Sequence, residues 1–105
     1  MLSIDLSGKL AVVTGASGEL GRVIARTLAE AGADVAVHYR GALEKAEATA
    51  ETVRAAGRRT MIVQADITDQ DSVFAMRDAI GAELGSPDII VNNAVIQYKW
   101  VSVLE

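Results

Sequence analysis

Thr14-Gly15-Ala16-Ser17-Gly18-Glu19-Leu20-Gly21 is the stretch on which the reading of the fold turns. Ahead of it, Lys9 to Thr14 carries Leu10-Ala11-Val12-Val13, a continuous apolar run of the kind expected for a strand buried on both faces. After it, Leu20, Val23, Ile24 and Leu28 recur at helical spacing as far as Ala31, and Gly32 supplies a stop. A glycine-rich turn from strand to helix leaves the first helical N–H groups without intrahelical partners. The positive end of the helix dipole lies behind them, and this arrangement suits phosphate.

Working outward, the same alternation repeats. Val35 to Tyr39 is a second β-branched run, broken at Arg40-Gly41. Leu43, Ala46, Ala50 and Val53 then define a second helical face that ends at Gly57, and Met61-Ile62-Val63 forms a third strand. Thr68 and Asp71, three apart, resemble a capping box ahead of Val73, Met76, Ile80 and Leu84, with Gly85 and Pro87 closing the third helix. Ile89-Ile90-Val91 is the fourth strand and runs directly into Asn92-Asn93-Ala94. This order predicts an α/β, doubly wound parallel sheet with right-handed crossovers and strand order 3-2-1-4, truncated before strands five and six of a complete dinucleotide fold. One domain over residues 1–105 follows. The fourth strand would then be an open edge, and with the apolar tail containing Tyr98 and Trp100 it is expected to drive self-association.

Composition narrows the function. Half of the 105 residues are apolar, enough for one core, while 10 basic against 14 acidic residues give a net charge of −4. No basic run or interleaving of basic and aromatic residues points to nucleic acid, so none is expected as a partner. No apolar run is long enough to span a bilayer, and Met1-Leu2-Ser3-Ile4-Asp5 lacks the features of a signal peptide, so no membrane partner and a cytoplasmic location are expected. The absence of cysteine and the single His38 leave too few ligands for an ordinary zinc site, and no metal is expected. His38, inside a strand without a carboxylate nearby in sequence, reads as a structural side chain.

Three stretches fall at the carboxyl ends of strands, where ligands bind in open parallel sheets: Thr14 to Gly21, Asp66-Ile67 and Asn92-Asn93-Ala94. On these residues the chain resembles the short-chain dehydrogenase/reductase family, whose markers are T-G-x-x-x-G-x-G and N-N-A-G. Ser7 to Tyr98 is similar to the bacterial 3-oxoacyl-acyl-carrier-protein reductases and sugar dehydrogenases within it. The resemblance implies that Gly15 and the loop of Ser17, Gly18, Glu19, Leu20 and Gly21 approach the cofactor phosphates. By the same resemblance Asp66 and Ile67 flank the adenine, and Asn92 and Ala94 line the adenosine side, with Asn92 also bracing the central strands. At the end of the second strand stand Tyr39 and Arg40, with no acid before Glu44. An acid there selects NAD through the ribose hydroxyls and an arginine accommodates the extra phosphate of NADP, so NADP is favoured over NAD. The alternative for Arg40 is a solvated residue at a turn.

Two residues depart from the family pattern. Glu19 occupies the second glycine of the first marker. Near a helix start an acid is favourable by about 0.3–1 kcal/mol, but against phosphate at about 4 Å it is unfavourable by roughly 1 kcal/mol in water and about 4 kcal/mol at an effective dielectric of 20. Val95 replaces the glycine of N-N-A-G. The resemblance also implies a catalytic serine and a Tyr-x-x-x-Lys pair after the fifth strand. The adjacent Tyr98-Lys99 do not match that spacing, no catalytic residue is assigned, and the chain is expected to be inactive alone. The expectation is therefore the cofactor-binding half of an NADP-dependent oxidoreductase. The alternative is a noncatalytic assembly module that has lost dinucleotide binding through Glu19 and Val95.

Overall fold

The computed structural model describes residues 4–93. Within them the chain alternates strictly: β1 (Leu10–Val13), α1 (Glu19–Glu30), β2 (Asp34–Tyr39), α2 (Leu43–Ala55), β3 (Thr60–Gln64), α3 (Gln70–Glu83) and β4 (Ile89–Val91). All strand pairs are parallel and the sheet order is β3-β2-β1-β4, as the element order predicts. Val13 lies opposite Val37 of β2 and Val91 of β4, so the carboxyl ends of three strands finish level with the glycine turn. That alignment makes the turn the middle of the site edge.

The apolar runs of β1 and β2 are explained by burial on both faces. Val13, Val35, Val37 and Tyr39 pack beneath α1 and α2 with Ala25, Ala29, Ala46, Ala50 and Val53. On the opposite face Leu10, Val12 and Ala36 meet Ile80, with Met61, Val63, Met76 and Leu84 half buried around them. This second layer is thinner. Ile80 is the buried residue of α3, Phe74 is exposed, and Ile90 of β4 is 68% exposed. Among the described residues β4 pairs with β1 alone, leaving its outer edge open.

Three local expectations shift. The buried stripe of α1 is Gly21, Ala25 and Ala29, whereas Leu20 and Val23 are exposed. The expected face is thus rotated by about one residue, roughly 100° of a 3.6-residue turn. Small residues at i, i+4 and i+8 let the helix lie close to the sheet, and Ile24 and Leu28 pack at the flank. In α3 the cap is Asp69, whose carboxylate accepts from the Asp71 N–H at 3.1 Å. Thr68 instead donates its hydroxyl to Asp66. In α2, Thr49 joins the buried face and Leu43 is largely exposed.

At the amino end of β2, Asp34 ties the sheet to the segment entering β3. Its side chain is 8% exposed and accepts from the Arg59 N–H and Nε at 3.0 Å each, with the Arg58 guanidinium at 3.1 Å. Burial pushes the carboxyl up, but the Arg59 main-chain and side-chain hydrogen bonds and the charges of Arg58 and Arg59 outweigh it. The carboxyl is held below the ordinary carboxylate range. A depressed carboxyl contributes its full stabilisation above its unfolded value and loses it as the pH falls through its folded value. Wild-type stability should therefore fall as the pH drops below about 3.8 with a component that Asp34→Asn lacks. Urea midpoints measured across pH 2–6 check this, and parallel curves would contradict it.

Candidate functional site

The glycine turn is held from three sides, mostly through main-chain atoms. Gly15 has a φ of +63°, a left-handed conformation that favours glycine. Its N–H donates to Nδ1 of His38 at 2.9 Å, and the next N–H, of Ala16, donates to the His38 carbonyl at 2.9 Å. From α2 the buried Thr49 hydroxyl donates to the Ala16 carbonyl at 2.8 Å. From the stretch after β4 the Asn93 carboxamide donates to the Gly15 carbonyl at 3.1 Å, and the Asn93 N–H to the Thr14 hydroxyl oxygen at 3.0 Å. The Asn92 carboxamide oxygen lies 3.4 Å from that hydroxyl. Bracing between the central strands, expected of Asn92, is thus shared and falls more heavily on Asn93.

Two of the marker's three glycine positions are required by the chain's own geometry. A Cβ on Gly21 would lie 2.6 Å from both the Ala16 Cα and the Gly15 carbonyl oxygen, main-chain atoms that cannot swing aside. Gly15 is required by its φ. The position now held by Glu19 carries an exposed side chain at the first residue of α1, so the fold accommodates it. Helix α1 has no side-chain cap, and its first intrahelical-type bond runs from the Arg22 N–H to the Gly18 carbonyl at 2.9 Å. The amides of Glu19, Leu20 and Gly21 therefore precede the bonded ladder, as donors at a helix start do. Gly15, expected to approach the phosphates, has its own N–H committed to His38. The donors suited to an anion begin further along the turn.

Among the described residues, several adjoining hollows run along this edge. The central one, about 230 Å³, brings together Gly15, Ser17, Arg40, Asp66 and Ile67 with His38, Ala65 and Thr68. Ser17 also lines a smaller hollow of about 160 Å³, in which Gly18 and Glu19 face Arg22 and Lys45. Ile67 also lines an apolar groove of about 340 Å³ on the α3 side, with Val12, Met76, Ile80, Ile90 and Asn92. Leu20 is exposed, and Tyr39 is packed in the core beneath α1 and α2, away from the wall of the central hollow. Ala94 lies outside the described residues, as do Val95, Tyr98, Lys99 and Trp100.

Asp66 is fixed before any ligand arrives. Its carboxylate accepts from the Thr68 hydroxyl at 2.6 Å and the Thr68 N–H at 2.9 Å, and its own N–H donates to the Ser72 hydroxyl at 2.9 Å. The Thr68 hydroxyl and N–H, joined by the charge of Arg40 and opposed by desolvation, hold the Asp66 carboxyl below its ordinary range. Arg40 is anchored through its carbonyl, which accepts from the Gln64 carboxamide at 2.9 Å. The edge can thus offer helix-start amides, a guanidinium and an ionised carboxylate to one elongated ligand. No helix among the described residues is long and apolar enough to cross a membrane.

The sequence gives His38 and Thr49 no place in the site, and it places Asn93 in the stretch after β4 without a role of its own. Their partners are main-chain groups 23, 33 and 78 residues away in sequence, so no local spacing reports them. Arg22 was within reach, because it stands one helical turn beyond Glu19.

Comparison with known proteins agrees with this fold. The family model for short chain dehydrogenases matches residues 9–104. A 3-oxoacyl-acyl-carrier-protein reductase of Staphylococcus aureus is 49% identical over 88 residues, which cover 84% of this chain and 36% of that protein. Among solved structures, a short-chain type dehydrogenase/reductase from Mycobacterium marinum superposes with a TM-score of 0.82 at 40% identity, covering 90% of this chain and 38% of the other. A dehydrogenase from Burkholderia cenocepacia with bound NADP gives 0.80 at 38% identity, covering 88% and 36%. The chain thus spans little more than a third of the length of these proteins.

The close approach at Gly21 separates it from Gly18, whose added Cβ would meet nothing nearer than 3.9 Å. Gly21→Ala should destabilise the chain by roughly 1–3 kcal/mol. Gly18→Ala should cost less than about 1 kcal/mol. Equal urea midpoints for the two variants would contradict the packing argument.

Proposed function

Because the chain belongs to the short-chain dehydrogenase family, we propose that it is the cofactor-binding half of an NADP-dependent oxidoreductase. In this reading the adenosine end of the dinucleotide takes the central hollow between Arg40, Asp66 and Ile67. The pyrophosphate meets the amides at the start of α1, and Asn92 stays on the adenosine side, as the family resemblance implies. The nicotinamide supplies or accepts the hydride. The residues of this chain bind and orient it, and the parent reaction interconverts a carbonyl and a hydroxyl on a substrate handled elsewhere in the longer protein.

One observation carries the choice of cofactor: Arg40 lines the central hollow at the end of β2, the position where an NAD-selective site would need an acid. A phosphate on the adenosine ribose adds two negative charges that a guanidinium can meet with paired hydrogen bonds. NADP bound to a structural relative supports the same choice. Against binding of either cofactor stands Glu19, but that carboxylate is exposed and shares its hollow with Arg22 and Lys45. Its repulsion therefore belongs near the aqueous limit of roughly 1 kcal/mol, about a fivefold loss of affinity.

Calorimetric titration of the 105-residue chain with NADPH and NADH tests the reading. NADPH should bind more tightly, Arg40→Ala should erase most of the difference, and Glu19→Gly should tighten both cofactors about fivefold. A folded chain that binds neither would favour the noncatalytic assembly module instead. The outer edge of β4, unpaired among the described residues, and the exposure of Ile90 also support pairing with a second copy. Sedimentation should then show a concentration-dependent dimer, and a monomer at every concentration would count against that pairing.

A further inference from the structure

His38 does more than fill the core. Its ring is 2% exposed and touches two walls of the central hollow at once: Nδ1 lies 2.9 Å from the Gly15 nitrogen and Nε2 lies 2.8 Å from the Ala65 carbonyl oxygen. The main-chain N–H of Gly15 can only donate and the Ala65 carbonyl can only accept. Both contacts are satisfied by one form of the ring, the neutral tautomer with its proton on Nε2. That side chain is a spacer between the glycine turn after β1 and the loop after β3, the segments that carry Ser17 and Asp66.

We infer that His38 is a positioning residue for the dinucleotide, acting through Gly15. By taking the Gly15 N–H, and with its own carbonyl the Ala16 N–H, it fixes the peptide planes at the start of the turn. The ligand then meets a preformed set of amides at the start of α1 and does not have to order them on binding. The inference rests on the dinucleotide reading above, and it is distinct from it. A retained cofactor site does not by itself require the ring, and the ring's contacts exist without any ligand.

The two arms of the imidazole can be tested separately, because Asn places its carboxamide oxygen near the Nδ1 position and Gln places its NH2 near the Nε2 position. With NADPH as probe, His38→Ala should weaken binding about tenfold. His38→Asn, which keeps an acceptor for the Gly15 N–H, should stay within roughly threefold of wild type, whereas His38→Gln should bind as weakly as the alanine variant. Thermal melts confirm that each variant compared is folded. In ligand-free, nitrogen-15-labelled protein, a coupling across the hydrogen bond between the Gly15 nitrogen and His38 Nδ1 reports the clasp directly. A folded His38→Ala that binds NADPH as tightly as wild type, or rescue by Gln and not by Asn, overturns the inference. So does NADPH binding by a wild-type chain that lacks the coupling. A wild-type chain that shows the coupling but binds neither cofactor overturns the dinucleotide reading and, with it, the role of the clasp in binding.

Discussion

The contact between Gly21 and the main chain of Gly15 and Ala16 sets how α1 leaves the end of β1. With 2.6 Å available to a Cβ, only hydrogen fits at that position. The helix start is thereby pressed against the strand end, and the carbonyl and amide groups of the turn lie within reach of β2, α2 and the stretch after β4. The hydrogen bonds from Thr49 and Asn93 and to His38 depend on that proximity. They satisfy groups that the tight turn would otherwise bury without partners, which is costly. The small-residue stripe Gly21, Ala25 and Ala29 continues the same close approach along the helix.

Seen in this way, the glycines of the marker do different jobs. Gly15 and Gly21 are demanded by the chain itself, and both are kept. The remaining position, where a side chain would matter to a ligand more than to the fold, carries Glu19. A turn can therefore preserve its architecture while its affinity for an anion is adjusted by one exposed carboxylate. Arg22 and Lys45 face the same hollow and offset part of that charge. At the far end of the edge, Arg40 and the ionised Asp66 set a cation and an anion side by side, which suits a ligand with both phosphate and amino groups.

Much of the architecture was legible in the sequence, for a physical reason. A strand buried on both faces must be continuously apolar, so Leu10-Ala11-Val12-Val13 stood out; Ile89-Ile90-Val91 is as apolar although Ile90 is exposed, and glycine ended each helix where expected. Hydrophobic spacing locates the largest apolar residues, and in α1 these are not the buried ones. Where a helix lies very close to a sheet, the buried positions go to the smallest ones. The cap of α3 was misplaced because Thr68 and Asp69 are both competent caps, and Asp66 claimed the threonine hydroxyl. Tyr39 ends β2, next to the site edge. Strand alternation turns its side chain to the opposite face from that of its neighbour His38, and into the core. The roles of His38, Thr49 and Asn93 could not be read, since each depends on a main-chain partner that only the folded topology brings near.

The central claim is that the carboxyl edge of the sheet is a preformed dinucleotide cradle organised by the turn from Thr14 to Gly21. Mapping amide chemical-shift changes as NADPH is added to the labelled chain tests it most directly. The account predicts changes concentrated at Ser17 to Gly21, Arg40, Asp66 and Ile67, with little change at the amino ends of the strands. Changes confined to the apolar groove around Met76, Ile80 and Ile90, or none at millimolar NADPH, would contradict it.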